Sequence, residues 1–160
     1  STAILSVGIL GDDRELDTEV QRFMSLTGLA QDEALMQGRE FGLEFMTSGY
    51  RFVEYDPLAA GWAEVPADET LRLRQLPEGV SFELFLEDKR IRLDDDPGRI
   101  SDGSNSSSAS RQQYAPHLLI YSSGDATPFE LHFNRATDDA TLVLRGNALG
   151  AVEIVAPDEV

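Results

Sequence analysis

The chain contains no cysteine. This absence excludes a disulfide framework, a thiol nucleophile and a zinc site built from thiolates. It leaves the cellular compartment open, because proteins of oxidising compartments can also lack cysteine.

Basic residues are scarce. The 13 Lys and Arg residues stand against 29 Asp and Glu, which gives a formal net charge of −16. This charge opposes nucleic-acid binding, which depends on Lys and Arg neutralising phosphates. It also opposes docking onto anionic lipid. We therefore expect no nucleic-acid partner, and we expect the acidity mainly to keep the protein soluble.

Long apolar runs are missing as well. No stretch reaches the roughly 18 apolar residues that a membrane-spanning helix needs, and no signal peptide is recognisable, because no basic region precedes the short apolar stretch 3–10. The sequence begins inside this stretch without an initiator Met. This start favours the expectation that a hydrophobic segment originally preceded it.

Residues 11–37 are predicted to form one helix. Its apolar face follows a 4-3-4-3-4 spacing, which keeps these positions on one side of a helix with 3.6 residues per turn. The face consists of Leu16, Val20, Phe23, Thr27, Ala30 and Ala34, widened by Met24 and Leu35. Gly38 is expected to end the helix. A helix of about 40 Å needs its apolar face covered along most of that length.

After Gly38 the apolar period changes to two, which is typical of strands. Phe41, Leu43 and Phe45 alternate with other residues, and residues 46–49 predict a tight turn before a second strand over 50–55. Further strands are predicted at 71–76, 80–86, 90–93, 118–121, 129–133, 141–144 and 151–155. The segment 58–68, which contains Trp62, is predicted to be a loop. Strands that follow each other without helices indicate antiparallel pairing. The predicted fold class is α+β, with helix 1–38 preceding an antiparallel β head at 39–160.

The segment 94–113 is rich in Asp, Ser and Gly. Such a composition buries too little apolar surface to offset the entropy of ordering, so we predict a mobile loop. Asp94, Asp96 and Gly98 resemble the start of a calcium-binding loop, but Pro97 interrupts the pattern and no Glu closes it. A solvated turn is the favoured interpretation.

Candidate catalytic residues do not form a recognisable constellation. His117 and His132 fall at or in predicted strands without the paired spacing of metal ligands. Asp125 belongs to a Ser-Ser-Gly-Asp turn, with Gly124 expected at positive φ, rather than to a nucleophile elbow. We therefore predict no catalytic residue, no cofactor and no metal site, and we predict that the protein is not an enzyme.

Four segments together resemble one protein family. They are 34–43 (ALMQGREFGL), 49–52 (GYRF), 122–129 (SSGDATPF) and 144–150 (LRGNALG). They resemble the minor pseudopilin H family of the bacterial type II secretion system, in the pilin-like superfamily. The Ser-Ser-Gly-x-x-Thr-Pro-Phe segment is the most specific of the four.

The resemblance implies a pilin-like fold and a structural role. It implies a bacterial inner-membrane protein with a single pass, whose head lies in the periplasm and whose N-terminus is trimmed and methylated by a dedicated peptidase. It further implies major and minor pseudopilins as partners in a short filament, near whose tip the H component helps to move exoproteins outward. The processing motif and the membrane half that the family carries are absent from this sequence.

The predicted filament contacts lie on the helix. We expect Leu5, Ile9, Leu16, Val20 and Phe23 to contact neighbouring subunits, with 3–10 in the filament core. For Leu16, Val20 and Phe23 the alternative is packing against the chain's own sheet.

Three other functions remain open on the sequence alone. A minor pilin of a type IV pilus is the closest, because related head domains occur there. An unrelated binding module could use the loop 94–113 as its contact surface. A hydrolase would need Asp125 to meet a histidine.

Overall fold

The computed structural model describes residues 2–65, 70–94 and 114–155, with side chains described from Arg14 onward. Within these residues one helix, α1 (Thr2–Gln37), precedes ten strands. The strands are β1 (Phe41–Met46), β2 (Gly49–Asp56), β3 (Gly61–Glu64), β4 (Arg74–Gln75), β5 (Val80–Leu86), β6 (Lys89–Ile91), β7 (Leu118–Ile120), β8 (Phe129–Arg135), β9 (Ala140–Gly146) and β10 (Val152–Val155).

The strands form two antiparallel sheets. Sheet A has the order β3-β2-β1-β7, and β4 pairs with the beginning of β2. Sheet B has the order β10-β9-β8-β5-β6. The predicted α+β class, a long N-terminal helix on antiparallel sheets, is confirmed.

The predicted helix face is the part of α1 that packs on the head. All six of its residues are buried, from Leu16 to Ala34. The helix ends where predicted, because Gly38 adopts φ +66° and the Arg39 N–H donates to the Ala34 carbonyl at 3.2 Å. It begins at Thr2, nine residues before the stretch 11–37 that the periodicity predicts, but within the segment 1–38 assigned to the helix. Leu35, expected to widen the apolar face, is exposed.

Phe23 lies between the two sheets. Its ring centroid is 5.9 Å from that of Phe45 and 5.3 Å from that of Tyr50, both in sheet A. It is 6.3 Å from Phe129 and 6.0 Å from Phe133, both in sheet B. Three of the four contacts are edge-to-face, an arrangement that aromatic rings favour. The helix therefore joins the sheets into one core through this ring.

Sheet A shows both a confirmed prediction and a wrong one. Residues 46–49 form the predicted tight turn, with Met46 paired opposite Gly49. The segment around Trp62 was predicted to be a loop but contains β3, which pairs with the second half of β2. Trp62 meets Tyr55, its cross-strand neighbour, edge to face, with 5.4 Å between ring centroids. This pairing stabilises a strand that has no alternating pattern of its own.

Two further predictions differ from the structure or fall outside it. Within 71–76 only Arg74 and Gln75 pair as a strand. Leu71 and Leu76 are buried, so the apolar pattern here reflects packing of an irregular segment. Of the predicted mobile loop 94–113, only Asp94 lies among the described residues. Its carbonyl accepts a hydrogen bond from the Thr47 N–H at 2.7 Å.

His117 anchors the entry to β7. Its backbone N–H donates to the Leu43 carbonyl at 2.8 Å, and its Nδ1 accepts the Phe45 N–H at 3.0 Å. Burial lowers the pKa of this imidazole, and the nearby carboxylates of Glu44 and Asp94 only partly oppose that effect. The neutral ring is therefore the form that the fold favours.

Replacing Phe23 by Ala should destabilise the head by about 3–5 kcal/mol, because a buried ring that touches both sheets leaves a cavity. Urea unfolding of the full chain measures this loss. Gln21→Ala, on the exposed side of the same helix, should change stability by less than about 0.5 kcal/mol. A Phe23→Ala loss no larger than that of the control would show that the ring does not join the sheets.

The head should become less stable as the pH falls below about 6.5, the ordinary pKa of histidine. The pKa of His117 is lowered in the folded state, so unfolding takes up a proton in this range and stability falls with pH. Protonation would also remove the acceptor for the Phe45 N–H. Melting temperatures at pH 7 and pH 5 should differ less in His117→Gln than in the unmodified chain. His132→Gln removes the only other histidine; if that variant abolished the difference instead, the assignment to His117 would be wrong.

Candidate assembly surfaces

Three of the five predicted contact residues lie in the core. Leu16, Val20 and Phe23 have no accessible surface, because the two sheets cover this face of α1. They cannot contact a neighbouring subunit while the helix stays packed, so the prediction is corrected for these three in favour of the alternative, packing on the chain's own sheets. The side chains of Leu5 and Ile9 lie outside the described residues, and their contact role stays a prediction.

The outward face of α1 beside the core is polar. Its exposed positions between 14 and 25 are Arg14, Glu15, Thr18, Gln21, Arg22 and Ser25. The Arg22 guanidinium donates to the buried Glu19 carboxylate at 2.8 Å. This stretch therefore offers no apolar surface to a helical neighbour.

The C-terminal end of α1 is tied to two loops of the head. The Gln31 side-chain amide donates to the Gly150 carbonyl at 2.6 Å. Just beyond the helix, the Glu40 carboxylate accepts the Ser122 N–H at 3.1 Å and its hydroxyl at 2.7 Å. Arg39 pairs with Glu33 at 3.0 Å and also with Glu54. These bonds bring together three of the four segments on which the family resemblance depends.

The Ser-Ser-Gly-x-x-Thr-Pro-Phe segment forms the turn that the sequence predicted. Gly124 has φ +99°, and the Tyr121 N–H donates to the Asp125 carbonyl at 2.9 Å. The Thr127 hydroxyl accepts the Leu119 N–H at 3.0 Å. The Ala126 N–H donates to the Ala148 carbonyl at 3.0 Å, which fixes this turn to the β9–β10 loop. The motif thus builds the end of the head where α1 finishes.

Exposed large hydrophobic residues gather at the same end of the head. Leu35 and Met36 lie in the last turn of α1, and Tyr121 and Leu149 lie in the two loops just described. Tyr55 and Leu58 lie at the β2–β3 connection, where the Tyr55 N–H donates to the Glu40 carbonyl at 2.9 Å. We call these six residues the apolar pole. No sequence pattern indicates this surface, because its members are spread over the end of α1, strand β2 and three loops with no common period.

The outer face of sheet A holds a buried ion pair. Glu44 and Arg51 are cross-strand neighbours, bonded side chain to side chain and buried. The Tyr114 ring covers the guanidinium at 4.3 Å. Burial, followed by the Glu64 carboxylate that accepts its hydroxyl, raises the pKa of Tyr114 to about 12. The predicted turn at 46–49 places Glu44 opposite Arg51, so this pairing could be predicted from the sequence. Nothing in the sequence indicates that Tyr114 covers the pair.

This pair serves the fold by anchoring the segment that enters β7. The second Glu44 oxygen accepts the Ala115 N–H at 2.8 Å. Pro116 then packs over Gly42, where an added Cβ would lie only 2.6 Å from the proline Cβ. The pair is therefore enclosed by protein, and its groups are not available to a ligand.

The candidate catalytic residues remain apart. Asp125 accepts the Ser123 hydroxyl at 3.1 Å, whereas His132 Nε2 lies 2.8 Å from a Glu130 oxygen. The bond from His132, together with that from Arg145, lowers the pKa of Glu130. No group of three potential metal ligands occurs among residues 2–65, 70–94 and 114–155. Asp94 belongs to that part, whereas Asp96 and Gly98 of the calcium hypothesis lie outside it.

None of the helical structure in residues 2–65, 70–94 and 114–155 has the length and apolar character of a membrane span.

Comparisons with known proteins agree on one family. The family model described as "Type II transport protein GspH" matches residues 19–150. Type II secretion system protein H of Pseudomonas aeruginosa is 35% identical over 129 residues, which cover 81% of this chain and 69% of that protein. The protein of the same name from Aeromonas hydrophila is 26% identical over 162 residues, covering 99% of this chain and 85% of its own length.

The fold agrees with a solved structure. The crystal structure of the minor pseudopilin EpsH from the type II secretion system of Vibrio cholerae superposes with a TM-score of 0.69 and 20% identity, covering 91% of this chain and 96% of that one. The family model spans most of the head-packed part of α1 and nearly all of the sheets, up to the loop before β10. The chain therefore belongs to the GspH family and is a structural, non-enzymatic minor pseudopilin of the type II secretion system.

Proposed function

We propose that this pseudopilin helps assemble the periplasmic filament tip that drives exoprotein export, and that it joins the filament through the N-terminal turns of α1. The observation that carries this proposal is that α1 extends 14 residues (2–15) N-terminal to Leu16, the first of its described side chains that packs on the head. The helix has 36 residues, or about 54 Å. Among the described side chains, the face buried against the head runs from Leu16 to Ala34.

The first turns of α1 provide the proposed contact. Leu5 and Ile9 are four residues apart, about one helical turn, and both precede Leu16, the first described residue of the buried face. Apolar residues repeated at this spacing suit packing between neighbouring helices. The partners in this proposal are other major and minor pseudopilins of the filament.

The same proposal puts the head in the periplasm and a single inner-membrane pass upstream of α1. Membership of the family supports this arrangement, since the resemblance implies insertion by a hydrophobic N-terminal helix half. The acidic composition adds support, because a chain with a net charge of −16 has little attraction for anionic lipid surfaces.

Leu5→Glu and Ile9→Glu should block filament assembly while the head stays folded. An unpaired carboxylate in an apolar helix contact costs several kcal/mol, which exceeds what one contact contributes. Exoprotein secretion by cells that carry the full-length protein should fall about tenfold or more, with the melting temperature of the head unchanged. Thr18→Glu, on the exposed polar side of α1, is the matched control and should secrete normally.

A third variant separates loss of contact from loss of fold. Val20→Asp should also stop secretion, but with a large fall in melting temperature, because Val20 is fully buried in the head. Normal secretion by both Leu5→Glu and Ile9→Glu would contradict the proposed contact.

A further inference from the structure

The apolar pole contains six of the seven large hydrophobic side chains that are exposed among the described residues. Leu58 is 98% exposed, Met36 84% and Leu149 80%. The seventh residue, Ile154, lies in strand β10 of sheet B. Single exposed hydrophobic residues are ordinary, but a cluster at one end of a head indicates an interaction surface.

The segments that carry the apolar pole are bonded to one another within the chain itself. A Cβ added at Gly124 would lie 3.5 Å from a methyl carbon of Leu35, so the end of α1 rests against the 121–126 turn. That turn is bonded to the β9–β10 loop, and Glu40 links it to the end of β2. The Tyr55 ring is fixed by its edge-on contact with Trp62. Fixed aromatic side chains are enriched at the centres of protein interfaces, and a preformed surface loses little conformational freedom on binding.

The charges around the pole are almost all negative. Within 31–40, 54–58, 121–126 and 147–150 the acidic residues are Asp32, Glu33, Glu40, Glu54, Asp56 and Asp125, and the only basic residue is Arg39. The guanidinium of Arg39 is itself paired with Glu33 and Glu54. A second copy of this pole would meet five excess negative charges with five of its own, so self-association here is unfavourable.

We propose that the apolar pole binds a different pseudopilin, through a surface of that subunit that presents apolar side chains ringed by Lys and Arg. This inference rests on the proposed function, because a filament subunit needs two unlike surfaces to join successive neighbours. The N-terminal turns of α1 supply one of them. The pole lies at the other end of the packed helix, about 28 Å from Leu16 by helical rise.

Photo-cross-linking in secreting cells tests which subunit lies against the pole. The photoreactive residue p-benzoylphenylalanine is placed in the full-length protein at position 58, 149 or 154. Positions 58 and 149 should give adducts with the mass of another pseudopilin, and position 154 should not. Adducts with a second copy of this chain, or equal adducts at all three positions, would overturn the proposal.

Substitutions test whether the contact matters for secretion. Leu149→Glu should lower exoprotein secretion about tenfold, the effect of losing one central interface contact. Ile154→Glu makes the same change at an exposed position away from the pole and should stay within about twofold of the unmodified protein. Both side chains are exposed, so both variants should keep the melting temperature of the unmodified head, and a Leu149→Glu variant that is folded and secretes normally argues against the pole.

The sign of the charge tests the chemistry of the partner. Asp32→Lys, at the rim of the pole, should weaken cross-linking from position 149 more than Asp32→Asn does, because Lys repels a basic partner. Glu153→Lys makes the same reversal beside Ile154 and should leave that cross-linking unchanged. An equal or opposite effect of Lys and Asn at position 32 would contradict a basic partner.

Failure of this inference can be told apart from failure of the proposed function. If Leu5→Glu stops secretion while Leu149→Glu does not, the pole is not a contact and the helix-based assembly stands. If neither variant affects secretion, both are wrong.

Discussion

The packing of Phe23 between the two sheets is the contact on which the rest of the head depends. Neither sheet is closed, and each has one apolar face to cover. The Phe23 ring centroid lies 5.3–6.3 Å from those of rings in both sheets. The buried residues before and after it on α1 belong to the same core. Since one ring serves both sheets, the helix cannot leave the head without exposing both apolar faces. The head-packed part of α1 is therefore a component of the head rather than a separate rod.

This constraint limits where a neighbour can bind. The side of α1 that faces the sheets is buried, and the exposed positions between 14 and 25 are polar. Exposed apolar surface remains at the apolar pole, where α1 ends. A second apolar contact is the one proposed for the first turns of α1. The two regions lie at opposite ends of the packed stretch. A subunit with unlike surfaces at its two ends builds open, directional assemblies rather than closed dimers.

Periodicity predicted the buried side of α1 and most of the strands, because each of these elements buries one face on a single core. It could not decide what covers Leu16, Val20 and Phe23, since an apolar stripe is the same whether a sheet or another subunit covers it. The pairing of β3 depends on Tyr55 and Trp62 meeting across strands, a contact between non-local residues. Tyr114 and Pro116 cover the outer face of sheet A through tertiary contacts that no local sequence pattern indicates. The exposure of Leu58 and Leu149 could not be predicted, because residues in loops follow no hydrophobic period.

The acidic residues around the apolar pole affect which partners can bind there. Exposed hydrophobic residues such as Leu58 and Leu149 favour association with any apolar surface, including a second copy. The carboxylates that surround them oppose that association, because two like-charged rims must lose their hydration and approach each other. A partner with basic side chains meets the same rim with attraction, so the difference between the two partners arises mainly from charge. If the pole binds an unlike pseudopilin as proposed, this charge difference favours that partner over a second copy of the chain.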